Sequence, residues 1–461
     1  MAEWRASLFL DPLDSSLVNL NAVALAPAEL ASLRQSSALK ASLLKFTGFV
    51  KGIQKQASRP LPTKPYAIIQ TNMKILIASD LHYPTINGVA SFSRNLAKGL
   101  AAHGHEVLVI APSQNGKRSK EVDGNHVIVR TVSVIFPFYQ NFRISLNPAR
   151  EVRKIIKDFD PDVIHIQMLL GIGQATMRYG NKMGIPIVST NHAMPENLMD
   201  NLRLLAPFSR PINYTISAYG ARFHSKADFV TLPTQSAIDM FKASDRITVP
   251  MAPVSNGIDL GRFALGKAPA ALYKKYGLPT NKPIVTYIGR LDAEKHMPVL
   301  LKAFVQVLAD KPDAHMLIVG DGTESHNLKS QAKHLGIDKK ITFTGKVSDE
   351  DLVELHHVGS VYCMPSPAEL QSIATLEAMA SGQPIVAVDA GALKELCQDG
   401  RNGYLCKQDD DVAMAEGILA IISDPKLRAK MSKESLAIAQ THDLETTLNA
   451  FEKIYTDLIN A

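Results

Sequence analysis

The sequence predicts an α/β protein made of two successive doubly wound, Rossmann-like domains behind an N-terminal extension of different character. Three observations carry this reading. From Met73 onward, strand-sized apolar runs alternate with helix-period segments, the pattern of an open, mainly parallel sheet that binds ligands at the carboxyl ends of its strands. Near Pro250–Pro253 the same pattern starts again. At 461 residues, the chain also exceeds what one hydrophobic core usually serves.

Residues 1–72 are rich in Ser, Ala and Leu and end in the linker-like run Arg59-Pro60-Leu61-Pro62-Thr63-Lys64-Pro65. Leu39, Leu43, Phe46, Val50 and Ile53 fall on one helical stripe among Lys40, Lys45, Lys51 and Lys55. That describes a basic amphipathic helix, weakened by Gly48 and Gly52. It suits a membrane contact, packing on the body, or a disordered tail; Met73 also reads as a native start. The first domain, residues 73–253, opens with the strand Lys74–Ala78, a loop over Asp80–Gly88 and a helix over about Ala90–His103. Further strands are expected at Glu106–Ala111, His126–Arg130, Val163–Ile166, Ile185–Ser189 and Phe229–Leu232. The Asp158–Asp162 run contains Asp-x-Asp, but it includes Pro161 and precedes a strand, so it reads as a turn rather than a metal site. The second domain, residues 254–440, has strands at Ile284–Ile288, Met316–Val319, Ile341–Thr344, Val361–Met364 and Ile385–Val388. Its helices include Met297–Leu308, Glu324–Leu335 and Asp411–Ile422, and a last helix over about Leu444–Ile459 lies within 441–461.

Composition narrows the function classes. Hydrophobic residues make up 46% and charged residues 20%, and the apolar runs are strand-sized, so a soluble globular protein without a transmembrane span is expected. Glu3, Arg5 and Asp11 interrupt the first residues, so no signal peptide is expected. Three cysteines, Cys363, Cys397 and Cys406, show no metal-ligand spacing; an odd set favours buried thiols in a reducing, cytoplasmic compartment. The net charge of +6 is unevenly spread: +4 over residues 1–72, +7 over 73–255 and −5 over 256–461. A basic front half without a Lys/Arg-aromatic stripe fits an anionic acceptor or a membrane inner face better than nucleic acid.

The most informative stretch is Pro365–Gly382. A buried strand, a Ser-Pro turn and Glu369 lead into a helix-period pattern with Ile373, Leu376 and Met379 on one face, and Gly382 stands where a helix stop belongs. Strand, turn and helix N-terminus make an anion site, because the first helical N–H groups lack partners. Glu369 and Glu377 are eight residues apart. Eight helical residues rise about 12 Å, whereas retaining glycoside hydrolases hold their carboxyl pair roughly 5–5.5 Å apart. The two carboxylates are therefore read as gripping opposite ends of an elongated ligand.

Other clusters sit at strand ends. Gly289-Arg290-Leu291-Asp292-Ala293-Glu294-Lys295-His296 places two cations after the first strand of the second domain. Asn87-Gly88 ends the loop Pro84-Thr85-Ile86-Asn87-Gly88-Val89, where Asn87 tolerates positive φ; without Gly-Lys-Ser/Thr it is no Walker loop. Thr190-Asn191-His192 ends a first-domain strand, and the apolar segment Asn197–Phe208 follows. Ser255-Asn256-Gly257-Ile258-Asp259 reads as a hinge, and Gly320-Asp321-Gly322 as a tight loop after the second domain's second strand.

Glu-x7-Glu followed by Ala-Met-Ala-Ser-Gly, together with these ordered motifs, resembles the family 4 retaining glycosyltransferases of group 1, over Met73 to about Ala461. The resemblance implies the GT-B fold, with the two domains facing across a cleft and the last helix crossing back to the first domain. It implies hexose transfer from a nucleotide diphosphate sugar, with Arg290 and Lys295 holding the diphosphate as leaving group and Glu369 and His192 on the sugar. Glu377 is placed on the ribose, backbone groups at Ser372, Ile373 and Ala374 at the phosphates, and Gly88 and Gly322 along the donor site. No metal or other cofactor is required. The acceptor is expected to be lipid-linked or a glycan, with peripheral membrane contact. Phe-Gly often stands two and three residues after the first Glu of the family signature, whereas this chain has Gln371-Ser372, so Gln371 is expected to change the lining of the sugar pocket. Rival readings are a nucleotide-sugar epimerase or phosphorylase on the same fold, or a non-catalytic sugar-nucleotide or membrane-binding protein.

Overall fold

The computed structural model describes residues 72–85, 87–136, 142–192, 209–242 and 247–461. The extension with its expected amphipathic helix, and the apolar segment Asn197–Phe208, lie outside the described residues. Thr71–Ala461 form one compact unit containing two large sheets.

The first half begins with β1 (Lys74–Ala78), α1 (Gly88–Ala102), β2 (Glu106–Pro112), β3 (Ser119–Asp123) and β4 (His126–Thr131). A hairpin, β5 (Ser133–Ile135) and β6 (Arg143–Ser145), leads to α2 (Ala149–Phe159) and β7 (Val163–Ile166). Then come α3 (Gly171–Met183), β8 (Ile187–Thr190), α4 (Ser209–His224), β9 (Phe229–Leu232), α5 (Gln235–Lys242) and β10 (Met251–Pro253). The sheet runs β10-β9-β8-β7-β1-β2-β4-β3, parallel except for β3 against β4. Apart from Lys74 and His165, β1, β7 and β8 are apolar or small, and they are buried almost throughout, as parallel strands covered on both faces must be.

The second half holds α6 (Ala270–Tyr276), β11 (Ile284–Ile288), α7 (Met297–Asp310), β12 (His315–Val319), α8 (Ser325–His334), β13 (Ile341–Gly345) and α9 (Asp349–His356). It continues with β14 (Val361–Met364), α10 (Ile373–Ala380), β15 (Ile385–Val388), α11 (Leu393–Leu396), β16 (Gly403–Cys406), α12 (Asp411–Ser423) and α13 (Pro425–Gln440). Its sheet is wholly parallel in the order β13-β12-β11-β14-β15-β16. Strand order reverses beside β1 in one sheet and beside β11 in the other, which is where open α/β sheets bind ligands.

The last helix, α14 (Leu444–Ile459), packs on the first sheet: Leu448, Phe451 and Tyr455 are buried with Ile75, Phe92, Leu96 and Val109. Tyr455 Oη lies 2.6 Å from His165 Nδ1 on β7. Two strands of chain join the halves, and they pair with each other through Ile258 N to His442 O (2.9 Å) and Leu444 N to Ile258 O (3.0 Å). Gly257 has φ +70°, and a Cβ there would stand 2.7 Å from Thr447 Oγ1, so this crossing needs glycine. Cys363, Cys397 and Cys406 are free and buried; burial pushes the Cys406 thiol up to about 12.

Two local expectations are corrected. The helix after β1 begins at Gly88, with Asn87 as its N-cap: φ is −162°, and the side-chain oxygen accepts from Ala90 N at 2.9 Å. Capping thus claims Asn87 rather than a left-handed turn. The signature helix begins at Ile373, not directly after Glu369, so the helix-rise spacing assigned to the two glutamates does not apply. Ser372 caps it, accepting from Thr375 N. In line with the turn reading, Asp160 closes α2 in the left-handed region and Asp162 accepts from Lys74 N at 2.7 Å.

Candidate active site

The loops after β11 and β14 lie side by side at the switch point of the second sheet, and they bring together most of the charged residues singled out from the sequence. Two buried phenols set the first loop: Tyr287 Oη donates to Arg290 O at 2.7 Å and Tyr362 Oη to Ile288 O at 3.0 Å. Gly320 and Gly322 are glycines because this loop lies on them. A Cβ at Gly320 would be 2.0 Å from Gly289 O, and one at Gly322 2.4 Å from Leu291 O. The structure thus shows Gly322 serving the packing of the Arg290 loop.

On that platform Arg290 pairs with Asp292 and Glu294. Lys295 Nζ lies 2.7 Å from Glu369 Oε1 and 3.4 Å from Glu294 Oε1. Glu294 is buried and lies between the two cations. Its place in the Glu294-Lys295 pair is the sequence signal for it. Asp292 accepts in addition from Thr323 N and Oγ1 at 3.0 and 2.9 Å. Burial works against the Lys295 charge, yet the Glu369 and Glu294 carboxylates outweigh it and raise the ammonium above its ordinary range. Lys295 is therefore a permanent cation.

Glu377 stands apart from this group. Its Oε2 lies 3.4 Å from Nε2 of the fully buried His356, whose ring meets Phe263 edge-on at 5.5 Å. Ile373 and Ala374 are half-buried in the first turn of α10, and a Cβ at Gly88 would meet Ile373 Cδ1 at 3.6 Å. The first turns of α1 and α10 thus face each other across the cleft. Gln371 departs from its expected place: its amide is taken up by Asn256 N (2.7 Å) and Ser255 Oγ (3.0 Å) of the interdomain crossing rather than left free to line a sugar pocket.

From the first half, His192 follows β8, with Nε2 2.7 Å from Gln167 Oε1 and its ring 4.9 Å from Phe92. Burial, with a smaller push from His224, takes His192 down to about 3, so the ring is neutral. With Gln167 accepting, Nε2–H is committed and Nδ1 remains an acceptor. Asp80, after β1, accepts from Ile172 N and Gly173 N at 2.9 and 3.1 Å, capping α3. Its desolvation, only partly offset by those bonds, lifts it to about 6. Among the described residues no group of three or more His, Cys, Asp or Glu is arranged to hold a metal ion, and no helix is long and apolar enough to cross a membrane.

Comparisons agree with this construction. Residues 86–262 match the model for Glycosyltransferase Family 4, and residues 270–436 that for Glycosyl transferases group 1. The phosphatidyl-myo-inositol mannosyltransferase of Mycolicibacterium smegmatis is 30% identical over 362 residues, 77% of this chain and 86% of that one. The alpha-monoglucosyldiacylglycerol synthase of Streptococcus pneumoniae is 24% identical, over 79% of this chain and 82% of its own. Among solved structures, the sucrose-phosphate synthase of Thermosynechococcus elongatus superposes with a TM-score of 0.70 at 19% identity, over 84% of this chain and 99% of that one. Paired doubly wound domains with this site define a glycosyltransferase of GT-B fold. The chain belongs to the family 4, group 1 glycosyltransferases.

Proposed function

We propose that the protein is a retaining transferase that moves a hexose from a nucleoside diphosphate sugar to a hydroxyl of a lipid-linked acceptor. The observation that carries this reading is the convergence of Arg290 and Lys295 with Glu369 at the switch point of the second sheet. Two fixed cations suit a diphosphate, whose charge grows as it leaves. At an effective dielectric near 20, each cation about 4 Å from a phosphate oxygen contributes about 4 kcal/mol before desolvation. Glu294 and Asp292 hold the Arg290 guanidinium in place, so little reorganisation is needed as the charge develops. In this reading those two cations neutralise the diphosphate without a metal. Glu369 accepts hydroxyls of the donor sugar, the neutral His192 offers a lone pair from the opposite domain, and Glu377 takes the ribose. The N–H groups at the start of α10 add dipole support for phosphate.

A screen of UDP-, GDP- and ADP-sugars against lipid and soluble acceptors, read by mass spectrometry, tests the assignment. Sugar exchange without acceptor favours an epimerase, and no donor consumption a binding protein. Within the active pair, Glu369→Gln is expected to lower kcat, because it removes a contact at the reacting sugar. Glu377→Gln should chiefly raise the donor KM, as loss of uniform binding does. Wild-type kinetics in both variants would remove the assignment of the two carboxylates.

The lipid half of the reading is supported by the names of the two relatives and by exposed residues of the first half. α2 exposes Arg150, Arg153, Lys154 and Lys157, and the β5–β6 hairpin and the loop after it expose Val134, Ile135 and Leu146. Each basic residue near an anionic bilayer contributes about 1 kcal/mol. Co-sedimentation with anionic vesicles at low salt should therefore drop at least tenfold in partition coefficient in Arg153→Glu/Lys157→Glu. Equal recovery of both proteins in the supernatant, with anionic and neutral vesicles alike, counts against membrane contact and leaves sugar transfer in place.

A further inference from the structure

The two residues after Glu369 are held by parts of the molecule outside their own sheet. Leu370 is buried in one apolar cluster with Val230, Leu232 and Ala237, the core of the first half. Its carbonyl accepts from Thr234 Oγ1 at 2.9 Å, a buried contact across the cleft. The same Thr234 oxygen accepts from Ala237 N at 3.2 Å, capping α5. Gln371 is tied to Ser255 and Asn256 in the crossing, and Ser255 Oγ also lies 2.9 Å from His442 Nδ1 in the second crossing. A third contact lies beyond: Glu395 Oε1, on α11, accepts from Ser236 N at 2.7 Å in the first turn of α5.

We infer that Leu370–Gln371 is a hook that couples docking of the first domain to the placement of Glu369, with Thr234 and Gln371 as positioning residues. Glu369 is one peptide bond from Leu370. The Glu369 carbonyl accepts from Ala392 N at 3.0 Å within the second domain, so it is the Leu370 side of the residue, and with it the carboxylate's station on Lys295, that depends on the seating of Leu370. When the domains part, Thr234 leaves the Leu370 carbonyl and the apolar side chain loses its pocket; the Glu369–Lys295 geometry then relaxes. The sugar end of the donor site is thus completed by the first domain, which brings the acceptor side. Its benefit to the reaction rests on the transferase reading above: donor cleavage is delayed until the cleft has closed on it and excluded water.

Thr234→Val keeps the shape of the side chain and deletes the O–H; Thr234→Ser keeps the O–H. In the ligand-free full-length chain, amide hydrogen exchange over residues 368–376 is expected to quicken at least fivefold in Thr234→Val and to stay within twofold of wild type in Thr234→Ser. In turnover with UDP-glucose or GDP-mannose, whichever the wild type uses, Thr234→Val should lose about 10- to 100-fold in kcat. The donor KM should move less than threefold, and the fraction of donor hydrolysed rather than transferred should rise. Thr234→Ser should restore both. Unchanged exchange in Thr234→Val overturns the hook, as does equal loss in the Ser and Val variants, which would assign the effect to the methyl. Faster exchange in Thr234→Val, with no donor consumed by the wild type, leaves the hook and removes the transferase reading instead.

Discussion

Arg290→Ala is expected to lower kcat/KM about 10²–10³-fold while the fold survives. The guanidinium is one-third exposed and bound to two carboxylates, so it is held ready for a charge that develops during reaction. Losing one such preorganised group costs about 2.7–4 kcal/mol of transition-state stabilisation, by analogy with an oxyanion donor. The backbone is little affected, because Tyr287 and Asp321 fix the loop through main-chain atoms: Tyr287 Oη donates to Arg290 O and Leu291 N to Asp321 O. Lys295 remains beside Glu294, so that carboxylate is not stranded. Arg290→Lys should recover only part of the loss, since the ammonium cannot reproduce a planar fork between two carboxylates. Steady-state kinetics beside thermal unfolding checks this; full activity in a folded Arg290→Ala protein removes Arg290 from the reaction.

Lys295→Met is expected to be worse, because it damages both chemistry and stability. Lys295 lies between two buried carboxylates. Removing one partner of such a pair costs about 3–5 kcal/mol, mostly as the penalty of buried charge without a counter-ion. A second change separates the two roles. Lys295→Met/Glu369→Gln should recover much of the lost unfolding free energy, because the stranded carboxylate is gone, while transfer falls well below that of Glu369→Gln alone because the phosphate-side cation is gone too. Denaturant unfolding and single-turnover assays on the two variants decide it. Transfer in the double variant equal to that of Glu369→Gln alone would make Lys295 a structural partner of Glu369 and nothing more.

The apolar strands were legible because a parallel strand covered on both faces has no polar alternation to blur it. Two edge strands were not: β3 is Ser119-Lys120-Glu121-Val122-Asp123, mostly exposed, with Glu121 paired to Arg130 of β4. β16, at the other sheet's edge, is a short Gly403-Tyr404-Leu405-Cys406 run that is not among the expected strands. Within the site, Arg290, Lys295 and Glu369 could be named because they stand in ordered motifs that resemble those of the family. Their convergence could not, since it depends on two loops from strands that are neighbours in space but separated in sequence. Gln371 shows the limit most clearly. Its position in the signature suggested a ligand contact, but the partners that claim it, Ser255 and Asn256, lie far back in the chain, and no local pattern announces them.

The seating of α14 on the first sheet has a consequence for biosynthesis. Ile75, Phe92, Leu96 and Val109 are made early, yet Leu448, Phe451 and Tyr455, which complete their cover, emerge from the ribosome only after the whole second domain. Domains usually fold as units, N-terminal first, as the chain is made. Here the first domain must wait with one apolar face uncovered for most of the time of translation, a natural handle for a chaperone. A nascent chain stalled before Leu444 should accordingly hold that face open and be retained by such a partner, and release should follow synthesis of the final helix.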